Sequence, residues 1–254
     1  MRIRVERTGA IVRITLARPE KKNALDQLAA RELQEALREI AANAEVRVVV
    51  LGADGEDFCA GADLAALYDL LDADAAAQLR DAEALGDVFR LLREMPQVVI
   101  AAVRGRALAG GAGLATACDL VIADEGARFG YPEVRVGFVA AMVMTLLRRQ
   151  IGEKRAFELV ATGRQVAARE ALELGLVSRV VTHDDLEVAV DSLAKELAAM
   201  PPEALRQTKR LFYALDNVGF ADGIAHAVRV NVEARSTSEF REGVRRFAPR
   251  PDEP

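Results

Sequence analysis

The amino-acid sequence predicts an α/β fold with a mostly parallel sheet and a helical C-terminal region. A strand, a helix and a second strand follow one another between residues 11 and 51, which is typical of a right-handed βαβ unit. Two short apolar runs, 98–103 and 119–123, contain β-branched residues and are long enough for buried strands. Residues 184–247 follow a helical period almost throughout. At 254 residues the chain is long enough to bury a sizeable core.

The N-terminal part is predicted to contain a hairpin and the first helix. Residues 2–16 alternate between apolar and polar side chains on both sides of Thr8-Gly9-Ala10, which indicates two strands joined by a turn. Asp26 is the predicted N-cap of a helix that ends near Ala42, because apolar residues then recur on one face. Residues 46–51 follow as a buried strand. The loop 52–62 leaves the carboxyl end of that strand, where α/β folds usually bind ligands.

The rest of the chain is predicted to be mainly helical. Helices are predicted over residues 63–72, 73–95, 138–150, 153–162, 168–174, 184–199, 202–215, 219–235 and 238–247, with a short strand over 177–181. In the helix 219–235, Ile224, Ala225, Val228 and Val232 form an apolar stripe. Packing against the core is the first interpretation of this stripe, and contact with a second subunit is the alternative. Residues 249–254 are predicted to be a frayed tail.

Composition argues against several classes of function. The formal net charge is −5, and lysine and arginine form no block of the kind that binds nucleic acid, so we expect no nucleic-acid partner. Two cysteines and two histidines are too few for a disulfide framework or a histidine-rich metal site, so we expect no metal. No apolar run reaches the roughly 20 residues of a membrane span, and residues 1–6 lack the apolar core of a signal peptide. We therefore expect a cytoplasmic protein with no membrane partner.

The clearest chemistry lies between residues 104 and 137. The predicted strand 98–103 breaks at Gly105, and Ala109-Gly110-Gly111-Ala112-Gly113 then opens an apolar segment typical of a buried helix. Glycines at a helix start let a ligand approach the N–H groups there, where the helix dipole also favours negative charge. A tight strand-to-helix turn would look similar, so this pattern needs confirming context.

The segment Phe129-Gly130-Tyr131-Pro132-Glu133 supplies that context. It places one carboxylate beside glycine and proline in an otherwise apolar region. A carboxyl group in such surroundings tends to have a raised pKa, which suits a group that transfers protons. Cys118 is interpreted as a small buried hydrophobic residue, because no histidine lies near it in the sequence. Asp119 is interpreted as a residue that positions the end of a strand.

In this order the motifs resemble those of the crotonase superfamily of enoyl-CoA hydratases and isomerases. The residues that carry the resemblance are GRALAGGAGLATACDLVIA from Gly105, FGYPEV from Phe129 and VGF from Val136, together with two upstream segments. Phe58-Cys59-Ala60-Gly61-Ala62-Asp63-Leu64 is similar to the family's F-x-A-G-A-D-[LI], and Arg18-Pro19-Glu20-Lys21-Lys22-Asn23-Ala24-Leu25 resembles its RPxxxNAL. The resemblance extends from about Val5 to about Phe247. It implies a crotonase-like spiral of ββα units, with an α/β core over 1–195 and a helical trimerisation region over 196–254.

The resemblance implies a coenzyme A thioester substrate and a reaction that passes through an enolate. Coenzyme A is then part of the substrate, and no separate cofactor is expected. Two backbone N–H groups, at positions matching Ala62 and Gly110, would stabilise the charge on the thioester oxygen. Glu133 would be the acid/base. The family assembles as trimers, often paired into hexamers, so a homotrimer or a dimer of trimers is expected.

One position departs from the family pattern. Hydratases of the family commonly carry two glutamates, and the first of these falls on Gly113, which cannot transfer a proton. A single glutamate is sufficient for isomerisation, because one base can remove a proton from C2 and return it at C4. The sequence around Gly110 and Glu133 nevertheless resembles a hydratase branch. We therefore expect an enoyl-CoA hydratase first and a Δ3-Δ2-enoyl-CoA isomerase second. The alternative from another class is a catalytically idle fold that binds acyl-CoA or RNA.

Further residues are assigned to substrate binding through the resemblance. They are Lys22 near the coenzyme's phosphates; Ala60, Ala62, Asp63 and Leu64 near its adenine; Ala24 in the RPxxxNAL segment; Gly110 and Gly111 in the glycine run; and Tyr68 and Phe138 in the acyl pocket. An exposed lysine is more often simply solvated, and apolar residues at helical spacing more often belong to a core. Both interpretations stay open at this point.

Overall fold

A computed structural model describes residues 1–248 of the chain. Its strands, in chain order, are β1 (Ile3–Thr8), β2 (Ile11–Leu16), β3 (Val48–Ala53), β4 (Val98–Val103), β5 (Arg106–Leu108), β6 (Leu120–Asp124), β7 (Arg128–Gly130), β8 (Gln165–Ala167) and β9 (Arg179–Val181). Its helices are α1 (Gln27–Ala42), α2 (Leu64–Asp69), α3 (Ala75–Glu94), α4 (Gly110–Ala117), α5 (Ala141–Ile151), α6 (Glu153–Thr162), α7 (Ala168–Leu174), α8 (Leu186–Ala198), α9 (Pro202–Ala214), α10 (Phe220–Arg235) and α11 (Ser238–Phe247). Short 3₁₀ turns cover Pro19–Lys21, Pro132–Val136 and Leu215–Asn217. The predicted tail 249–254 lies outside the described residues.

The strands form two sheets. The larger sheet has the order β1-β2-β3-β4-β6-β9, in which β1 and β2 are the predicted antiparallel hairpin and all other neighbours are parallel. The smaller sheet has the order β5-β7-β8, with β5 and β7 parallel and β8 antiparallel to β7. This mixed, mostly parallel arrangement between helices confirms the predicted fold class.

Helices cover both faces of the larger sheet. Because side chains alternate along a strand, Val48 and Val50 of β3 face one side, where they belong to a cluster with Leu186 and Val190 of α8. The alternate β3 residues face the main core, which also contains the buried sides of α1, α3 and α4. The central strands β3 and β4 are therefore buried on both faces, as their continuous apolar sequences predict.

Most of the predicted elements are confirmed. The Asp26 carboxylate accepts the Ala29 N–H at 2.8 Å and caps α1, as expected. Two helix boundaries are wrong by three residues: the helix predicted over 63–72 ends at Asp69, and the helix predicted over 138–150 begins only at Ala141. The chain turns before it, because Gly137 has a φ of 73° and the Phe138 N–H donates to the Glu133 carbonyl at 3.0 Å. The sequence also failed to predict β5, β7 and β8, which have three residues each.

The apolar stripe on α10 lies at the surface of the single chain. Ile224, Val228 and Val232 are 52%, 57% and 61% exposed, and no residue of α10 is buried by the rest of residues 1–248. Packing of the stripe against the core is therefore the wrong interpretation. Contact with a second subunit stays a prediction, as does the division of the chain at residue 195.

Within the described part of the chain, no helix is both long enough and apolar enough to cross a membrane.

Candidate active site

The segment 60–63 lies beside residues 22–25, which settles the direction of one backbone N–H group. The Leu25 N–H donates to the Gly61 carbonyl at 2.7 Å, and the Asp63 N–H donates to the Leu25 carbonyl at 2.8 Å. In a trans peptide the C=O and N–H groups point in opposite directions. The Gly61–Ala62 peptide therefore directs the Ala62 N–H away from Leu25, and this N–H has no acceptor among residues 1–248.

The glycine run packs directly on this segment. A Cβ atom at Gly61 would lie 2.8 Å from the Cβ of Ala109 and 3.5 Å from the nitrogen of Gly110, and one at Gly111 would collide with the carbonyl oxygen of Cys59. Only glycine allows so close an approach. Ala109 has a φ of 50°, which is unusual for a residue other than glycine.

The second N–H group belongs to Gly110, the first residue of α4. N–H groups in the first turn of a helix lack intrahelical acceptors, and within the described residues that of Gly110 makes no hydrogen bond. The N–H groups of Ala62 and Gly110 thus belong to two segments in direct contact. Paired donors of this kind can form an oxyanion hole.

Pairing of β5 with β7 brings Glu133 to the same region. Leu108 of β5 is opposite Gly130 of β7, and the Ala109 N–H donates to the Gly130 carbonyl at 2.8 Å. The glycine run follows β5 directly, and the 3₁₀ turn that contains Glu133 follows β7. The short strands that the sequence did not reveal therefore connect the two predicted parts of the site.

Glu133 is buried, and little compensates its carboxyl for the loss of solvent. It is 9% exposed, and its Oε2 atom makes no hydrogen bond with residues 1–248. Burial raises the pKa of its carboxyl above the ordinary value, and a hydrogen bond from its own backbone N–H opposes this only in part. A carboxyl whose pKa is raised in this way is a better proton acceptor than an ordinary glutamate, which suits a group that transfers protons.

The space beside Gly113 is filled by apolar side chains. A Cβ atom at Gly113 would lie 2.6 Å from Cζ of Phe89 on α3 and 2.9 Å from Cγ2 of Val143 on α5. Leu85, one turn before Phe89, lies against Gly110, with its Cδ2 3.3 Å from the position of a Cβ there. The sequence did not identify these neighbours, because they come from helices that only the tertiary fold brings to α4.

A second carboxyl with a raised pKa lies on α3. Asp81 is one turn before Leu85, so both side chains project from the same side of the helix. Burial raises the pKa of Asp81, and it forms no ion pair in the described part of the chain. Asp81 lies outside the motifs that the sequence singles out.

Some of the residues assigned to substrate binding lie next to one another, and others lie exposed on the surface. Residues 22–24 lie alongside 60–63, since the Ala60 N–H donates to the Lys22 carbonyl at 3.0 Å. Lys22 is exposed. Leu64 is 70% exposed. Tyr68 and Phe138 are 73% and 60% exposed, so the interpretation of these two as core residues is wrong. Their assignment to substrate binding stays a prediction.

Polar residues that hold the loop 52–62 in place were not identified from the sequence. The Asp57 carboxylate accepts hydrogen bonds from Nε and Nη2 of Arg106, each at 2.7 Å, and these bonds lower the pKa of Asp57. The side-chain amide of Asn23 donates to the carbonyls of Asp54 and Asp57 at 2.9 and 2.8 Å. Asn23 and its neighbour Arg18 belong to the RPxxxNAL segment, which was the available signal.

Residues 1–248 contain no cluster of three or more histidine, cysteine or acidic side chains that could hold a metal ion. Cys118 is buried and its thiol donates to the Leu114 carbonyl at 3.2 Å, which fits its interpretation as a packing residue. Burial raises the pKa of the Cys59 thiol to about 12, so it stays protonated at neutral pH.

Comparison with known proteins gives a consistent result. A family model described as "Enoyl-CoA hydratase/isomerase" matches residues 6–253. A putative enoyl-CoA hydratase from Thermus thermophilus is 43% identical over 245 residues, which cover 96% of each chain. The (E)-benzylidenesuccinyl-CoA hydratase of Thauera aromatica is 32% identical over 252 residues, covering 98% of this chain and 97% of the relative. Among solved structures, a putative enoyl-CoA hydratase from Streptomyces coelicolor superposes with a TM-score of 0.94 at 34% identity, covering 97% of this chain and 91% of the other.

Proposed function

The chain belongs to the enoyl-CoA hydratase/isomerase family, and on this premise we propose that it adds water to the double bond of a 2-enoyl-CoA thioester. The observation that carries the proposal is the buried Glu133 carboxyl, which the β5–β7 pairing brings beside the glycine run. A carboxyl with a raised pKa next to two backbone donors is the equipment for forming and protonating an enolate.

In the proposed reaction, the N–H groups of Ala62 and Gly110 hold the thioester oxygen. As the double bond accepts a nucleophile, negative charge collects on that oxygen, and preorganised donors stabilise it. Loss of one such donor typically costs about 3–4 kcal/mol of transition-state stabilisation.

Glu133 carries the proton. Its carboxylate takes a proton from water while the water oxygen bonds to C3 and the electron pair of the double bond moves onto the thioester as an enolate. The protonated Glu133 then delivers the same proton to C2, so one molecule of water is added and the carboxylate is restored. The raised pKa of Glu133 supports this cycle, because a more basic carboxylate takes the proton more readily.

Coenzyme A is held, in this proposal, by the segments that meet at the oxyanion hole. Lys22 contributes its positive charge to the phosphates, and the backbone of residues 60–64 contacts the adenine. Ala24, Gly110 and Gly111 also contact the bound thioester. Tyr68 and Phe138 contact the acyl chain. The exposed stripe on α10 supports assembly as a trimer or a dimer of trimers, because large exposed apolar surfaces mark sites of association.

The runner-up is isomerisation of a 3-enoyl-CoA, with Glu133 removing a proton from C2 and returning it at C4. The contacts of Gly113 favour it. Phe89 and Val143 fill the space where a second carboxylate would stand, which leaves an apolar wall where hydratases place an acid. An idle binding protein has no chemical need for a buried, high-pKa glutamate, and this argues against the third alternative.

Turnover of purified protein with crotonyl-CoA and with a 3-enoyl-CoA, followed through the absorbance of the conjugated thioester, tests the proposal. Loss of absorbance with crotonyl-CoA that Glu133→Gln abolishes supports hydration. Gain with the 3-enoyl substrate alone overturns hydration in favour of isomerisation. Full activity of Glu133→Gln contradicts both. Asp81→Asn is measured in parallel, since a similar loss there would make Asp81 the second proton-transferring group.

A further inference from the structure

We propose that Arg18 is a positioning residue that fixes the direction of the Ala62 N–H group. The inference rests on the proposed role of that N–H as an oxyanion donor. It adds a residue to the site that acts through Asp63 and Leu25 rather than by contact with the substrate.

The Arg18 guanidinium joins two poorly exposed carboxylates. Its Nη2 lies 2.9 Å from Oδ2 of Asp63, and its Nη1 lies 2.9 Å from Oδ2 of Asp26. The side chains of Arg18, Asp26 and Asp63 are 11%, 15% and 11% exposed. At this depth an ion pair is less screened by solvent than at the surface, and a rigid planar guanidinium sets the positions of both partners.

Asp63 transmits the position of Arg18 to the donor peptide. It follows Ala62 directly, its N–H donates to the Leu25 carbonyl at 2.8 Å, and its carboxylate accepts the Ala65 N–H at 2.9 Å as the cap of α2. Burial alone would raise the pKa of Asp63, but the Ala65 N–H and the Arg18 charge outweigh it, so that the pKa is lowered. The Asp63 carboxylate is thereby kept charged and held in one orientation.

The other side of the same peptide is fixed by the segment that carries Arg18. Nη1 of Arg18 donates to the Ala24 carbonyl at 3.3 Å, and the Arg18 backbone N–H donates to Oδ1 of Asn23 at 2.8 Å. Leu25, which follows Ala24, makes the hydrogen bond to the Gly61 carbonyl that sets the direction of the Ala62 N–H. Arg18 therefore holds both segments whose pairing aims the donor.

This arrangement predicts a specific kinetic effect. Replacing Arg18 with methionine keeps the length of the stem and removes the charge that holds Asp63. A donor misplaced by about 1 Å can cost about a hundredfold in rate, so we expect kcat to fall between about tenfold and a hundredfold. The KM should change by less than about threefold, because an interaction formed mainly in the transition state is lost.

Two matched variants separate positioning from general stability. Asp63→Asn keeps the cap of α2 but loses the ion pair, so its kcat should fall like that of Arg18→Met, and the double variant should be no slower than either single variant. Asp26→Asn keeps the cap of α1 and alters the other pair of the same guanidinium, so its kcat should stay within about twofold of the wild type.

The experiment measures kcat and KM of these four variants with crotonyl-CoA, and the carbonyl stretching frequency of bound butyryl-CoA, which does not react. Arg18→Met and Asp63→Asn should weaken the lowering of this frequency that the wild type produces, and Asp26→Asn should retain it. If Arg18→Met does not fold, Asp63→Asn alone decides.

Normal kcat and normal carbonyl frequency in folded Arg18→Met and Asp63→Asn would overturn the role of Arg18. A wild type that leaves the carbonyl frequency unchanged and is inactive would instead overturn the proposed function. Ala62→Pro removes the donor N–H itself. In the second case, Ala62→Pro and the wild type should give the same carbonyl frequency for bound butyryl-CoA.

Discussion

Glu133 and Asp119 are carboxyl groups of similar burial in opposite surroundings. Glu133 is 9% exposed, and its Oε2 has no partner in residues 1–248. The side chain of Asp119 is 12% exposed and accepts hydrogen bonds from the Val99 N–H at 2.7 Å, from Lys209 Nζ at 2.8 Å and from the Tyr213 hydroxyl at 2.6 Å. A buried carboxyl with full compensation holds structure together, whereas one without it is available for proton transfer.

The Asp119 cluster fixes the helical C-terminal region to the sheet. Lys209 on α9 is 6% exposed, and its ammonium also donates to the carbonyls of Leu92 and Gln97 at 2.8 Å each. Burial lowers the pKa of Lys209, and Asp119 opposes that shift. Arg93 lies over the ring of Tyr213 at 3.8 Å. The predicted role of Asp119 at the strand end is thus confirmed, and its partners extend it to α9.

The largest effect should come from Glu133→Gln, which removes the carboxyl group that is available for proton transfer. We expect kcat to fall about 10²- to 10⁴-fold, because an amide cannot carry the proton. The free energy of unfolding should stay the same or rise, since no ion pair is lost within the described structure. Turnover and thermal unfolding of the same protein preparation check both points. A variant that loses activity because it is less stable than the wild type would contradict them.

Lys209→Met removes the cation that pairs with Asp119, the structural carboxyl of the two. It leaves Asp119 with a buried charge and no cation, so the free energy of unfolding should fall by about 3–5 kcal/mol. Activity per folded molecule should remain near that of the wild type. Urea denaturation gives the stability, and Lys209→Met combined with Asp119→Leu should recover part of the loss, because the charge left alone is then removed as well.

Gly113→Ala tests the apolar wall that separates this site from one with two carboxylates. Its Cβ would lie 2.6 Å from Phe89, so we expect a loss of about 1–3 kcal/mol in stability through overpacking. Phe89→Leu should relieve the contact. The double variant should therefore lose less free energy of unfolding than the two single variants lose together. Additive effects in denaturant unfolding would show that Phe89 does not close this space.

The dependence of stability on pH gives the smallest effect. The pKa of Glu133 is raised in the folded state, so the folded protein holds this proton more tightly than the unfolded chain does. As pH rises from below the ordinary glutamate pKa to above the raised one, the wild type should lose stability relative to Glu133→Gln, and the difference should then level off. Thermal unfolding of both proteins from pH 4 to 8 measures it. A constant difference would contradict the raised pKa.

The sequence predicted the parts of the site that depend on local motifs. Gly110, Ala62 and Glu133 lie in segments that resemble motifs of the family, and this resemblance assigned each of them to the site. Their meeting depends on β5 and β7, and a strand as short as β5 has too few residues to show a period.

Contacts between distant segments were beyond the sequence. A helical period shows which side of α3 is apolar, but it does not show that Phe89 fills the space beside Gly113. Asp119 and Lys209 are separated by 90 residues, and only packing of α9 on the sheet joins them. The α10 stripe has the same apolar pattern as a core helix, and the pattern alone does not tell what covers it.

The different roles of the two carboxyl groups are tested by comparing Glu133→Gln with Lys209→Met in one set of experiments, with crotonyl-CoA turnover normalised to folded protein and with unfolding by urea. We expect Glu133→Gln to be stable and inactive, and Lys209→Met to be unstable and active. Wild-type turnover by Glu133→Gln, or an inactive Lys209→Met that is still folded, would contradict it.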